Sequence, residues 1–339
     1  MPGPLLVYGA YGYTGELVAR RAVERGLSPV LAGRDSERVV RLARELGCEW
    51  RAFPVSDPDA LRKGLRGVAV VVHCAGPFVH TAAPMAEACI DERAHYLDVT
   101  GEIPVFEALV ALGPAARNVG VMLLPGAGFD VVPTDCLAVH LVRRLPGART
   151  LTLALAGMDR VSRGTARTML EGAGSLPKGS QESRTFDFGF GPVTTVRVPW
   201  ADVFTAPRST GVADVRVYLA ASLPSRALLR AAPYLAPLLA SPRVRELAAA
   251  ALTGGQAGPA AAQRVARRSL VLGEATAPGG GRAAALQRHP DPYGLTADAA
   301  VEIAARALRG EAPPGWQTPA TAYGPELVLS LPGVSREDL

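Results

Sequence analysis

Lysine is almost missing from this chain: Lys63 and Lys178 are the only two in 339 residues. The formal charge of +5 is carried by arginines that are scattered and never run five together. A nucleic-acid face built on a basic run is excluded by that scatter, and no nucleic-acid partner is expected. Cysteine is scarce as well. Cys48, Cys74, Cys89 and Cys136 form no C-x-x-C pair, so they supply neither a dithiol redox motif nor a zinc site. Such sparse use fits reduced, mostly buried thiols of a cytoplasmic protein. No Walker lysine motif, no G-x-S-x-G elbow and no metal-ligand spacing is present. Within the apolar stretch 224–253 the longest uncharged run is far short of the about 20 residues of a membrane span, and no cationic leader with an apolar core is expected ahead of the first strand at Leu5. What remains, 48% hydrophobic and 20% charged, is a globular chain long enough for two domains.

Glycine is what the chain has in quantity, and its placement near the start is ordered. In "LLVYGAYGYTGELVARRAVERG" (residues 5–26), Gly9, Gly12 and Gly15 fall three apart between an apolar run and a helical pattern. Leu5 to Tyr8 reads as a buried strand. Leu17, Val18, Ala22 and Val23 share one helical face, with Arg20, Arg21 and Glu24 on the other. A strand that turns tightly into a helix presents backbone N–H groups at the positive end of the helix dipole, which suits a phosphate. In that reading Gly9 permits the turn, Gly12 lets a ligand approach the backbone and Gly15 lets the helix pack on its strand.

The next strand bears on which nucleotide. An acid at its end would hold the ribose 2′-OH of NAD, whereas an arginine suits the 2′-phosphate of NADP. Here the strand ends in Gly33-Arg34, with no acid before Asp35. Arg34 can meet a phosphate bidentately, and Asp35 and Ser36 are candidate caps for the following helix. NADP(H) is the expected cofactor; the competing reading makes Arg34 one more surface arginine.

Alternation continues along the first part. Strands are expected at 50–55, 68–72, 95–99 and 119–124, with helices near 58–65, 84–91 and 103–111, which argues a Rossmann-type doubly wound parallel sheet. After about residue 130 the pattern changes. Residues 149–157, 184–200 and 215–222 alternate apolar and polar side chains with glycine and proline punctuation, as antiparallel strands do. Residues 224–253 are apolar and helical, interrupted by Pro233, Pro237 and Pro242: a broken helical pair serving as a lid, a dimer face or a membrane-surface contact. A last amphipathic helix is expected with Thr296 as its N-cap and Gly310 as its stop. The expected domains are an NADP-binding Rossmann domain (1–130), an α+β substrate and dimerisation domain carrying a mostly antiparallel sheet (131–295), and a C-terminal helix and tail returning toward the first (296–339).

Six further segments are "VVVHCAGPF" (70–78), "YLDVTGE" (96–102), "PGAGFDVVPTD" (125–135), "SRGTARTM" (162–169), "VPWADVFTAPRSTG" (198–211) and "GWQTPATAYG" (315–324). In that order they resemble the saccharopine dehydrogenase-like oxidoreductases. The subgroup they resemble is the bacterial one that includes trans-acting enoyl reductases, rather than the enzymes that make or cleave saccharopine. The resemblance implies that Gly9, Gly12, Tyr13, Thr14 and Gly15 lie at the pyrophosphate and Arg34 at the 2′-phosphate. It places Cys74, Ala75, Gly76, Pro77 and Phe78 near the nicotinamide ribose. His73 departs from the asparagine that the family implies there, and reads as a packed core residue rather than an acid.

Hydride transfer must be balanced by a proton. Strand alternation puts Tyr96, Asp98 and Thr100 on one face, with Glu102 beyond them at the mouth of the cleft. Asp98 is the first candidate acid or base and Tyr96 the second; the competing reading makes Asp98 a brace for its loop. Asp130 and Asp135 read as structural residues at a hinge. Arg208, Ser209, Thr210 and Lys178 are candidate contacts for a substrate carboxylate or a carrier arm. The function so implied is NADP(H)-dependent reduction of a small, apolar, lipid-like or carrier-linked substrate, by a homodimer with no membrane span. A silent NADP(H) sensor or an amino-acid or imine dehydrogenase are the alternatives.

Overall fold

The computed structural model describes residues 3–158, 162–171, 182–220, 223–239, 241–254, 256–265 and 267–339. The chain begins with β1 (Leu5–Tyr8), α1 (Tyr13–Glu24), β2 (Val30–Gly33), α2 (Ser36–Leu46), β3 (Trp50–Ala52), α3 (Pro58–Leu65), β4 (Val70–His73), α4 (Ala82–Asp91), β5 (His95–Asp98), α5 (Ile103–Asn118) and β6 (Met122–Leu124). It continues through α6 (Val132–Arg144), β7 (Thr150–Ala156), α7 (Arg163–Glu171), β8 (Ser183–Asp187), β9 (Pro192–Arg197), α8 (Asp202–Thr210) and β10 (Asp214–Ala220). Then follow α9 (Leu223–Leu239), α10 (Pro242–Leu252), α11 (Ala261–Val265), β11 (Ser269–Thr276), β12 (Arg282–His289), α12 (Pro292–Leu308), β13 (Gly315–Trp316), α13 (Pro319–Tyr323) and β14 (Ser335–Asp338). Two compact units result, Met1–Val132 with Tyr293–Pro332, and Pro133–Pro292 with Gly333–Leu339.

The first unit holds a seven-stranded sheet of order β13-β6-β5-β4-β1-β2-β3 in which every pairing is parallel. β1, β2, β4 and β6 are buried along their whole length. That is why their sequences are continuous apolar runs rather than alternating ones, since helices cover both faces. The order is the doubly wound one, and it reverses between β1 and β4. Local chemistry sets the helix starts: the Asp35 carboxylate caps α2 by accepting the Arg38 N–H, and Asp57 caps α3 ahead of Pro58. β3 stops at Ala52 rather than running to 55, because Pro54 has no N–H to extend the ladder. α5 runs on past 111, through Pro114, to Asn118.

Helix α12 begins four residues before the expected cap. Pro292 opens it, where a fixed φ helps and a missing N–H costs nothing. Thr296 therefore sits inside the helix, and its hydroxyl accepts the Phe129 N–H at 3.0 Å instead of capping. Gly310, at φ +84°, ends the helical segment as expected.

The second unit has its own seven-stranded sheet, β14-β12-β11-β7-β10-β9-β8. Its pairings are antiparallel except β7 with β10, which run parallel in register Thr150 with Asp214. Residues 224–253 do form two helices, but α9 passes through Pro233 and Pro237, and the break comes just before Pro242 at the first position of α10.

Candidate nucleotide site

The strand order of the first unit's sheet reverses between β1 and β4, and it is outside the C-terminal ends of strands at such a point that open α/β sheets bind ligands. Gly9 takes φ +77°, a left-handed turn that only glycine adopts without strain. A Cβ there would stand 2.9 Å from the Ala75 Cβ and 3.0 Å from the Ala75 nitrogen, so the two loops are in direct contact. Gly15 packs its Cα against the Gly9 carbonyl, leaving no room for a side chain. Gly12 is the N-cap of α1 and offers no side chain to cap it, so the helix's first turn opens as an anion site. Gly9 thus makes the turn and Gly15 the helix packing, while Gly12 leaves the backbone at the helix start uncovered by a side chain. Tyr13 and Thr14, partly exposed, begin the helix beside them.

At the end of β2, Arg34 is exposed. A second arginine joins it. The Arg38 guanidinium lies 4.4 Å above the centre of the Tyr11 ring and donates to the Tyr11 carbonyl at 3.2 Å. The Tyr11 hydroxyl accepts the Asp35 N–H at 3.3 Å, and the Tyr11 ring lies across Gly33, where a Cβ would collide with it. The Asp35 carboxylate takes the Arg38 backbone N–H at 3.1 Å and is committed to the helix cap. The end of β2 therefore presents guanidinium groups and withholds its acid, a donor set that fits a 2′-phosphate. Arg38 and Tyr11 escaped the sequence reading. The one available signal was Arg38's position a helical turn beyond Arg34.

At the end of β4, Cys74, Ala75, Gly76 and Pro77 make a partly exposed turn, and Phe78 is buried behind it. Desolvation and the nearby Asp98 charge push the Cys74 thiol up, so it stays protonated and is no nucleophile. His73 is fully buried, and burial pushes it down to about 3, which keeps the ring neutral. Its Nε2 meets the Thr81 hydroxyl at 2.9 Å, and that hydroxyl donates to the Ala75 carbonyl at 2.8 Å. Its Nδ1 has no partner. His73 thus sits among Tyr8, Phe78 and Tyr96 and steadies the turn from beneath.

At the end of β5, Tyr96 and Asp98 are both fully buried and are joined by a hydrogen bond from the Tyr96 hydroxyl to Asp98 Oδ2 at 2.7 Å. Asp98 Oδ1 accepts the Thr100 N–H at 3.0 Å and the Gly126 N–H at 2.9 Å. Burial still wins over these three donors and lifts Asp98 to about 6. Glu102, beyond it, accepts the Phe78 N–H at 3.0 Å and the Val79 N–H at 2.8 Å, fastening the β4 turn to the β5 loop. Asp130 lies against Gly101, and desolvation followed by repulsion from Glu102 raises it to about 6. The clamp made by Glu102 could not have been read from spacing, because its partners are backbone groups 23 and 24 residues away.

In the second unit, Arg208, Ser209 and Thr210 form the last turn of α8 and bond locally. The Arg208 guanidinium covers the Phe204 ring at 3.5 Å, Ser209 donates to Asp135, and Thr210 donates to the Ala206 carbonyl at 2.6 Å. Lys178 lies outside the described residues. Among the described residues no group of His, Cys, Asp and Glu could hold a metal ion, and no helix is long and apolar enough to cross a membrane.

Residues 5–124 match the saccharopine dehydrogenase NADP-binding domain. A trans-acting enoyl reductase of Mycobacterium bovis is 29% identical over 189 residues, 53% of this chain and 44% of that protein. A saccharopine dehydrogenase-like oxidoreductase of Homo sapiens is 28% identical over 170 residues, 44% of this chain and 39% of that one. This chain thus covers less than half the length of either relative. In fold alone, it resembles saccharopine dehydrogenase (L-Glu forming) from Saccharomyces cerevisiae across the whole of both chains, with a TM-score of 0.65 at 12% identity. The family match thus lies within the first unit, over residues 5–124, and it makes NADP(H) the cofactor.

Proposed function

We propose that the chain is an NADP(H)-dependent oxidoreductase acting on a small apolar substrate, with an activated alkene of lipid or polyketide type as the substrate class. The observation that carries the cofactor half is the end of β2, where Arg34 and Arg38 stand ready and Asp35 is spent on the helix cap. Gly12 and the first turn of α1 hold the pyrophosphate, and the Cys74 to Phe78 turn faces the nicotinamide end. When bound, NADPH supplies a hydride. The substrate class is supported by the name of the mycobacterial relative. The second unit would carry the substrate surface.

The chain's own residues at the nicotinamide end serve to position. Asp98 gathers two backbone N–H groups and a tyrosine hydroxyl into one buried knot, and Glu102 ties the β4 turn to it. Neither Asp98 nor Tyr96 has any surface open to a substrate. We assign them to holding the edge of the crevice, leaving the proton to a group outside this knot or to water. The test is direct: NADPH is offered with enoyl thioesters, imines and 2-oxo acids in turn, and its consumption is followed. Oxidation with an enoyl acceptor supports the reading. Oxidation only with an imine or 2-oxo acid replaces the substrate class. Binding without turnover on any acceptor returns the chain to a nucleotide sensor.

A further inference from the structure

Twelve large hydrophobic side chains are exposed among the described residues, and seven of them sit on three mutually packed helices of the second unit. Met169 is on α7, Tyr234, Leu235 and Leu238 are on α9, and Val244, Leu247 and Leu252 are on α10. Leu238 at 64% and Leu247 at 72% exposure are far beyond the edge of a core. Scattered single exposures need no explanation, whereas a concentration of this kind marks an interaction surface. On α10, Val244, Leu247 and Leu252 fall within an arc of about 140°, with Ala248 and Ala251 between them and Arg243 and Arg245 on its two borders. On α9, residues 231–239 carry no charge at all.

The charge of these three helices is one-sided. α7, α9 and α10 together contain six arginines and two glutamates, with no lysine and no aspartate. Glu246 pairs with Arg163 and Arg167, the Arg226 Nε is buried, and Arg243 and Arg245 are the cations at the borders of the stripe. An apolar stripe bordered by arginines is the composition of a helix that lies in the plane of a bilayer interface. Its aliphatic side chains enter the acyl boundary while guanidinium groups stay with phosphates. A second copy is the poorer occupant, because an isologous pairing would bring together two stripes bordered by Arg243 and Arg245, with the acid of α10, Glu246, already paired. Among the described residues no helix is long and apolar enough to cross a membrane, so the contact proposed is peripheral.

We propose that the α9–α10 face docks the protein on an anionic lipid surface. The proposal does not depend on the oxidoreductase reading. The full chain is floated with vesicles of phosphatidylcholine alone and of phosphatidylcholine mixed with phosphatidylglycerol. It is expected to float with the second and not the first, and to be released by raised salt. The double variant Leu238→Glu, Leu247→Glu should bind those vesicles at least tenfold more weakly, with its melting temperature and NADPH titration unchanged. Flotation with neither vesicle, equal flotation with both, or undiminished binding by the variant would overturn the proposal. So would a dimer in size-exclusion chromatography that the double variant dissociates, since the face would then belong to a second copy.

Discussion

The Cα of Gly15 rests on the carbonyl of Gly9, so closely that a Cβ on Gly15 would fall onto the oxygen and the carbon behind it. Backbone cannot step aside as the end of a flexible side chain can. Gly15→Ala should therefore destabilise the protein by about 3 kcal/mol, the upper range for forcing atoms into a packed interior.

Gly12 is the opposite case. Its backbone sits at φ −76° and ψ 161°, a region open to any residue, and a Cβ would come no nearer than 3.2 Å to the Gly9 oxygen. Gly12→Val should cost about 1 kcal/mol of stability or less. Its branched side chain would nonetheless fill the place of the pyrophosphate and abolish NADPH binding in a fluorescence titration. If the two glycine variants traded phenotypes, the division of labour drawn here would fail.

On the proposed reading, cofactor choice rests on the two arginines. Arg34→Ala and Arg38→Ala should each weaken NADPH by about 1–3 kcal/mol, the scale of a lost charge-assisted bond, while leaving NADH nearly unaffected. Arg38→Ala should show the effect even though its guanidinium is already stacked on Tyr11, because that stacking holds the charge in place. Equal losses for the two cofactors would mean that neither arginine reads the phosphate.

Much of this crevice was legible in the sequence, and the reasons are local. A buried parallel strand announces itself by an unbroken apolar run, as Val70 to Val72 do, and a Gly-x-x-Gly-x-x-Gly turn has few other uses between such a strand and a helix. What escaped depends on distant partners. The parallel pairing of β7 with β10 cannot be told from an antiparallel one, since both alternate with period two. Thr296 looked like a cap because a threonine precedes an amphipathic stretch, whereas its hydroxyl serves Phe129, 167 residues away. Asp98 looked equally suited to proton exchange and to bracing until its three donors were counted.

His73 makes stability depend on pH with a definite sign. Burial holds its folded pKa at about 3, whereas an unfolded histidine takes up its proton near 6.5. Below pH 6.5 the unfolded chain gains that proton and the folded one does not, so stability present above 6.5 is lost as pH falls toward 3. Between pH 7 and pH 5 the loss is about 2 kcal/mol. His73→Asn removes it. Denaturant midpoints of the two proteins at both pH values should show the wild type losing that much more than the variant. A parallel pair of pH profiles would mean that the folded imidazole titrates normally.

Asp98 decides between the two roles open to the β5 edge. Alanine at this position strands the N–H groups of Thr100 and Gly126 and the Tyr96 hydroxyl, three buried donors at about 1–3 kcal/mol each. Asparagine keeps one acceptor oxygen for the two backbone groups but turns an amide N–H₂ toward the Tyr96 hydroxyl, which must then find another acceptor or go without. The expected order of melting temperature is wild type, then Asp98→Asn, then Asp98→Ala, with the asparagine variant about 1–2 kcal/mol less stable. NADPH affinity should fall in the same order, because the knot that Asp98 ties sits behind the turn proposed to meet the nicotinamide end. A general acid or base gives a different pattern. Asp98→Asn would then melt and bind NADPH like the wild type while turnover dropped about 10²-fold or more. The stability and titration measurements need no substrate, so this choice can be made before the substrate is identified.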